Sequence, residues 1–186
     1  MRGNSDPFAI NHSRLKNTAA MYTFSPITEQ EATTVLSWRY SDVAVQLQPN
    51  ADDFVEDLQA LLLPAFHYYA VRDSAGDLVG FCCYGEDAQV AGGDYALQAL
   101  DVGMGLRPDL VGQGRAQGFL QAILHWGNLQ FAPEMFRSTV AAVNQRSQRM
   151  FARAGFMIVQ RFVPPGIPEL DFLVMVRAVD FTAEGL

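Results

Sequence analysis

The chain has 186 residues, 49% of them hydrophobic and 18% charged, with a net charge of −7. That is enough apolar material for one self-supporting core, and it excludes a disordered chain or a small disulfide scaffold. No apolar run approaches the roughly 18–20 residues that span a bilayer, and the polar, basic N-terminus lacks the apolar centre of a secretory signal.

Residues 1–20 are therefore read as a loose tail ahead of a working start at Met21, and 21–186 as one domain. In "SPITEQEATTVLSWRY", Thr28 with Glu31 three residues on makes a capping-box pattern that opens a helix to about Trp38. "DDFVEDLQALLL" places acids in a first helical turn and Phe54, Val55, Leu58, Leu61 and Leu62 at helical spacing. The period then shortens. "HYYAVRDSAGDLVGFCCYG" predicts an antiparallel hairpin turning at Ser74–Asp77. Tyr95 to Leu106 predicts a further strand, residues 112–131 a helix, and "FRSTVAAV" a strand. Asn144 caps a helix over Gln145–Ala154, Gly155 ends it, and "FMIVQRFV" and "LDFLVMVRA" close the sheet. The expected fold is α/β (α+β), a mixed sheet with helices on both faces. Cys82 and Cys83, the only cysteines, would point to opposite faces of a strand. They cannot pair with each other in the ordinary way, and they suit packing in a reducing, cytoplasmic compartment.

Charge is unevenly distributed along the chain. Residues 21–106 carry thirteen acids against two arginines, whereas 107–161 carry seven arginines against two acids. An anionic ligand near the second segment and a cationic one near the first would each meet a favourable field. No basic stripe extends beyond the second segment, so nucleic acid is not an expected partner.

That basic segment contains "LRPDLVGQGRAQGFL". Its glycine spacing is G-x-G-x-x-x-G, the following strand ends in Val143 and Asn144 without a ribose-binding acid, and no lysine follows in P-loop register, so both nucleotide motifs fail. What remains is backbone. The successive amides of Gly112, Gln113, Gly114, Arg115 and Ala116 at a helix start form a donor array suited to a pyrophosphate, and glycine keeps side chains out of its way.

"LRPDLVGQGRAQGFL" followed by "VAAVNQRSQRMFARAGF" resembles the two signature segments of the GNAT superfamily of acyl-CoA-dependent N-acyltransferases. Leu106, Pro108, Gly114 and Ala116 fall in register in the first segment, and Asn144, Ser147, Met150, Gly155 and Phe156 in the second. "WRY" with "RPDLVGQG" is also similar to a poorly characterised bacterial subgroup. The resemblance covers about Tyr22 to Ala178 and implies a GNAT fold, with a mostly antiparallel central sheet, and acetyl-CoA as co-substrate with no metal. It implies that Leu106 bonds the acyl carbonyl and pantetheine, that Gly112 to Ala116 hold the pyrophosphate, that Asn144 meets the pantetheine, and that Arg153 lies near the phosphates. Val111 departs from the family's Gln or Arg, and Phe151 from the tyrosine that protonates the leaving thiolate in many members.

The resulting expectation is acetyl transfer to a primary amine, small molecule or peptide, without a membrane partner and with a homodimer left open. The alternative is an acyl-CoA-binding regulatory domain without chemistry. An ammonium must lose a proton before it attacks, so a base or a water chain must take it. Glu86 at the end of one strand and Asp101 in the next are the expected acids. Asp101 alternates with Gly103 and Gly105, which suggests room for a ligand on that face. Trp38, Arg39 and Tyr40 are the expected acceptor-pocket residues.

Overall fold

The computed structural model describes residues 21–40, 51–166 and 169–179; the tail expected at 1–20 lies outside them. Among the described residues seven strands form one sheet: β1 (Tyr22–Pro26), β2 (Tyr69–Asp73), β3 (Leu78–Tyr84), β4 (Leu100–Leu106), β5 (Met135–Ala141), β6 (Met157–Phe162) and β7 (Phe172–Ala178). Their spatial order is β1-β2-β3-β4-β5-β7-β6. Every neighbouring pair is antiparallel except β4 and β5. The four α-helices among the described residues are α1 (Glu29–Ser37), α2 (Phe54–Leu62), α3 (Ala116–Phe131) and α4 (Gln145–Arg153).

Local sequence explains most of these boundaries. The capping box of α1 forms as expected: Glu31 N–H donates to Thr28 Oγ1 at 3.4 Å, and Thr28 N–H donates to Glu31 Oε2 at 3.0 Å. The buried Glu31 carboxylate also pairs with Arg72 of β2, which ties the helix to the sheet. Asn144 caps α4 by accepting from Ser147 N–H at 3.0 Å. Gly155, with φ of 87°, supplies the left-handed residue that ends it.

Four expectations need correction. β1 has no counterpart among the predicted elements, its end in proline weakening the strand signal. β4 starts at Leu100, not Tyr95, because the Tyr95 hydroxyl is engaged instead with Val90 N–H at 2.8 Å and Val90 C=O at 3.0 Å. α3 starts at Ala116, not residue 112, because Gly112 and Gly114 hold φ of 85° and 78°. In α2 only Leu61 is buried, and Val55 is 63% exposed.

The main core lies under α3, where Phe119, Leu120 and Ile123 are fully buried with Val71, Cys82 and Tyr84. Each such apolar side chain contributes about 1.5–3 kcal/mol. Two glycines permit the approach. A Cβ on Gly80 would stand 2.4 Å from the Phe119 ring, and one on Gly127 would stand 2.7 Å from Tyr84. α1 and α2 cover the opposite face through Ala32, Val35, Leu36 and Leu61 over Ala70. Cys82 and Cys83 are both buried and free. Burial pushes the Cys83 thiol up to about 12.

Candidate active site

β4 and β5 are paired over two rungs only, Leu100 with Phe136 and Asp101 with Arg137. Beyond that fork, Gly103–Leu106 of β4 and Ser138–Ala141 of β5 line a cleft of about 1050 Å³. Its size suits a substantial ligand. One stretch of its lining is acidic: Asp53 and Asp57 from α2 and its lead-in, and Asp87 from the turn after β3. The Tyr68 hydroxyl donates to Asp87 Oδ2. Asp57 is held above its ordinary carboxylate value, first by burial and then by the charges of Asp53, Asp87 and Glu56. The same cleft is lined by Arg146 and Arg149 of α4 and by Gly112 and Ala116. Acidic and basic walls therefore share one cavity, as the charge division along the chain anticipated.

The glycine loop presents open donors. The amides of Gly112, Gly114, Arg115 and Ala116 find no acceptor within the described residues, whereas Gln113 N–H donates to Leu110 C=O at 3.4 Å. A Cβ on Gly112 or Gly114 would meet nothing within 4 Å, so the space beside the backbone is free. Gly112 and Ala116 face the large cleft. Gln113, Gly114 and Arg115 instead line a smaller cavity of about 400 Å³ with Tyr22 and Asp73. Unpaired amides at a helix start, in a cleft that Arg146 and Arg149 also line, fit a diphosphate.

Residues 21–157 match the family model of an Acetyltransferase (GNAT) domain. The chain belongs to the GNAT acetyltransferase family. It is accordingly an acyl-CoA-dependent N-acyltransferase. No curated protein matches it. Solved structures share its fold at low identity. A chimera of the Vibrio cholerae spermidine N-acetyltransferase and hSSAT is 17% identical with a TM-score of 0.62, covering 85% of this chain and 96% of the other. A Bacillus anthracis GNAT-family acetyltransferase is 16% identical with a TM-score of 0.64, covering 85% and 95%. An aminoglycoside N(6')-acetyltransferase from Legionella pneumophila is 16% identical with a TM-score of 0.63, covering 85% and 92%.

In this GNAT chain the expected site residues are only partly brought together. Leu106, Val111, Asn144, Phe151, Trp38 and Tyr40 all line the cleft. The Tyr40 hydroxyl donates to Leu106 C=O at 3.0 Å, and burial pushes it up to about 12. Phe151 is 3% exposed and packs edge-on against Phe156. Asn144 commits its side-chain oxygen to Ser147, which leaves its amide group for a ligand. Arg39 turns away, bonding the carbonyls of Leu36 and Trp38 at 2.7 and 2.9 Å. Arg153 is exposed and does not line the cleft; Arg146 and Arg149, on earlier turns of α4, do.

Neither expected acid lines the cleft. Glu86 is exposed and outside the cleft lining, whereas its neighbour Asp87 is inside it. Asp101 is 2% exposed, and its two oxygens accept from Arg137 at 2.6 and 2.7 Å and from Gln89 at 2.8 Å. A carboxylate so occupied is poorly placed to take a proton. The room expected beside Gly103 and Gly105 is filled by the chain itself: a Cβ there would lie 2.7 Å from Cys83 Sγ and 2.2 Å from Phe81. The charge division pointed to the acidic wall in general. Nothing in the sequence singled out Asp53, Asp57, Asp87 or Tyr68, because three separate elements supply them.

Proposed function

We propose that the chain transfers an acetyl group from acetyl-CoA to a primary amine that arrives as a cation. One observation carries the acceptor class: Asp53, Asp57 and Asp87 share a wall of the cleft that also holds the open amides of the glycine loop. An ammonium would make charge-assisted hydrogen bonds to these carboxylates, of which Asp57 is half-buried and Asp53 and Asp87 are exposed. The spermidine and aminoglycoside acceptors named for the fold neighbours are amines of this kind, which supports the reading.

In this reading the amides of Gly112 and Ala116 hold the pyrophosphate, with Arg146 and Arg149 facing the phosphates. Leu106 and Asn144 meet the pantetheine arm, and Val111 and Phe151 form its apolar wall. Bound acetyl-CoA supplies an activated thioester; the protein must supply orientation and a destination for the amine proton. A lysine-like amine is neutral only about once in 2,500 molecules at pH 7. Asp57 is assigned that proton, directly or through water, because it lines the cleft and burial with its neighbouring carboxylates raises its proton affinity. Glu86 and Asp101 are not assigned it. Trp38 and Tyr40 flank the acceptor. A cytoplasmic, reducing setting fits the free thiols of Cys82 and Cys83.

Thiol release from acetyl-CoA, measured across polyamines, aminoglycosides, lysine peptides and amines with acidic tails, tests this reading. Turnover with cationic amines is expected. Turnover confined to acidic-tailed amines would contradict it.

A further inference from the structure

Asp101 and Arg137 form the last paired rung before β4 and β5 separate. They are 2% and 3% exposed and joined by a two-point bridge, Nε to Oδ1 at 2.6 Å and Nη2 to Oδ2 at 2.7 Å. Arg137 Nη1 donates to Leu97 C=O at 2.8 Å, and the guanidinium lies 4.8 Å from the centre of the Tyr95 ring. The Tyr95 hydroxyl lies 3.0 Å from Thr139 Oγ1 on the β5 side of the cleft. Gln89 holds Asp101 Oδ2 from the segment that follows the Asp87 turn. One guanidinium thus connects β5, β4, the approach to β4 and, through Asp101 and Gln89, the neighbourhood of Asp87.

Stability alone is a weak reason for this arrangement, since apolar residues of similar volume often replace a buried ion pair at no cost. Geometry supplies a better one. Parallel strands tend to continue pairing, each rung adding backbone hydrogen bonds, yet here they diverge straight after the Asp101–Arg137 rung. Leu106 lies five residues beyond Asp101, about 17 Å along the strand, so a rotation of about 4° at the fork moves it by about 1 Å. Misplacement on that scale can cost about 10²-fold in rate. We infer that the Asp101–Arg137 pair is a positioning device that sets the angle between β4 and β5, and with it the spacing of the cleft walls that hold the acyl arm. The inference rests on the cleft being the acyl-transfer site.

The test compares wild type with Asp101→Leu/Arg137→Met, which removes the charges and keeps the bulk, and with Arg137→Lys, which keeps the charge and loses the fork. For each, thermal unfolding, coenzyme A affinity by calorimetry, and kcat and KM are measured. The expected result is a double variant that folds, binds coenzyme A at least fivefold more weakly and loses about 10²-fold in kcat, with Arg137→Lys intermediate. Should the double variant fail to fold, Arg137→Lys alone decides by the same readings. Wild-type affinity and kcat in a folded variant would overturn the inference. So would an Asp101→Asn defect that fades between pH 7 and 10, which would mark Asp101 as the proton acceptor; Cys83, Tyr95, Asp94 and Arg137 are the other ionisable groups near it. The affinity arm needs no turnover, so it stands apart from any failure to find the acceptor.

Discussion

Gly112 lies in the left-handed region at φ of 85°, with open space where a side chain would go, on the cleft side of the loop. A β-branched replacement would strain the backbone there, so a loss of binding would not isolate steric blockage. Asparagine tolerates this region best among non-glycine residues. Gly112→Asn should fold normally and weaken coenzyme A binding more than tenfold, about 1.4 kcal/mol. Gly114→Asn, facing the smaller cavity, should weaken it far less. Equal calorimetric affinities for both variants and wild type would remove the pyrophosphate assignment. Phe151→Leu should keep turnover within about tenfold, since a coenzyme A thiolate needs little help to find a proton near neutrality. It should lose about 0.5–1.5 kcal/mol in denaturant titration, the worth of the ring pair with Phe156. The loop and the missing tyrosine were readable because each depends on one stretch of chain. Glu86 and Asp87 are chemically alike and adjacent in sequence. Only the short helical turn over Glu86–Ala88 decides which one faces the cleft.

At the scale of elements, α2 and the turn after β3 together build the acidic wall. Because Asp57 is held above its ordinary value of 3.8, the folded state binds that proton more tightly than the unfolded chain does. Its contribution to stability is therefore greatest below that value and falls as pH rises through the raised one. Asp57→Asn should flatten that decline and raise Tm at pH 7, while lowering kcat/KM for a cationic amine by about 10²-fold. Glu86→Gln should leave both near wild type. A kinetic defect in Asp57→Asn that shrinks as pH approaches the amine's own pKa would mark the carboxylate as a base; a constant defect would mark it as a binding group only. The starts of α1 and α4 were legible because their caps are local: Thr28 with Glu31, and Asn144 with Ser147, span three residues each; α3, which has no side-chain cap, starts four residues later than expected. The start of β4 was not legible either. Tyr95 belongs to a strand by propensity, but its hydroxyl reaches Thr139, 44 positions further along the chain.

For the whole molecule, the division of charge between residues 21–106 and 107–161 becomes a cleft with walls of opposite sign. Selection of cationic acceptors should fade as salt approaches 1 M, where the Debye length falls to about 3 Å. A preference that ignores salt would mean that shape, not field, selects the acceptor. The fold class was legible because alternating periods and two signature segments lie along the chain in order. The fork between β4 and β5 was not, because Asp101 read in sequence as a candidate base and Arg137 as an ordinary charge, with nothing to pair them across 36 positions. The central claim is that one cleft holds acetyl-CoA and presents a cationic amine to it through Asp53, Asp57 and Asp87. The direct measurement is the ratio of kcat/KM for a diamine to that for a monoamine with a neutral tail, in wild type and in the triple Asn variant, with coenzyme A affinity measured alongside. The ratio is expected to fall at least tenfold in the variant while coenzyme A affinity is unchanged. An unchanged ratio would contradict the claim.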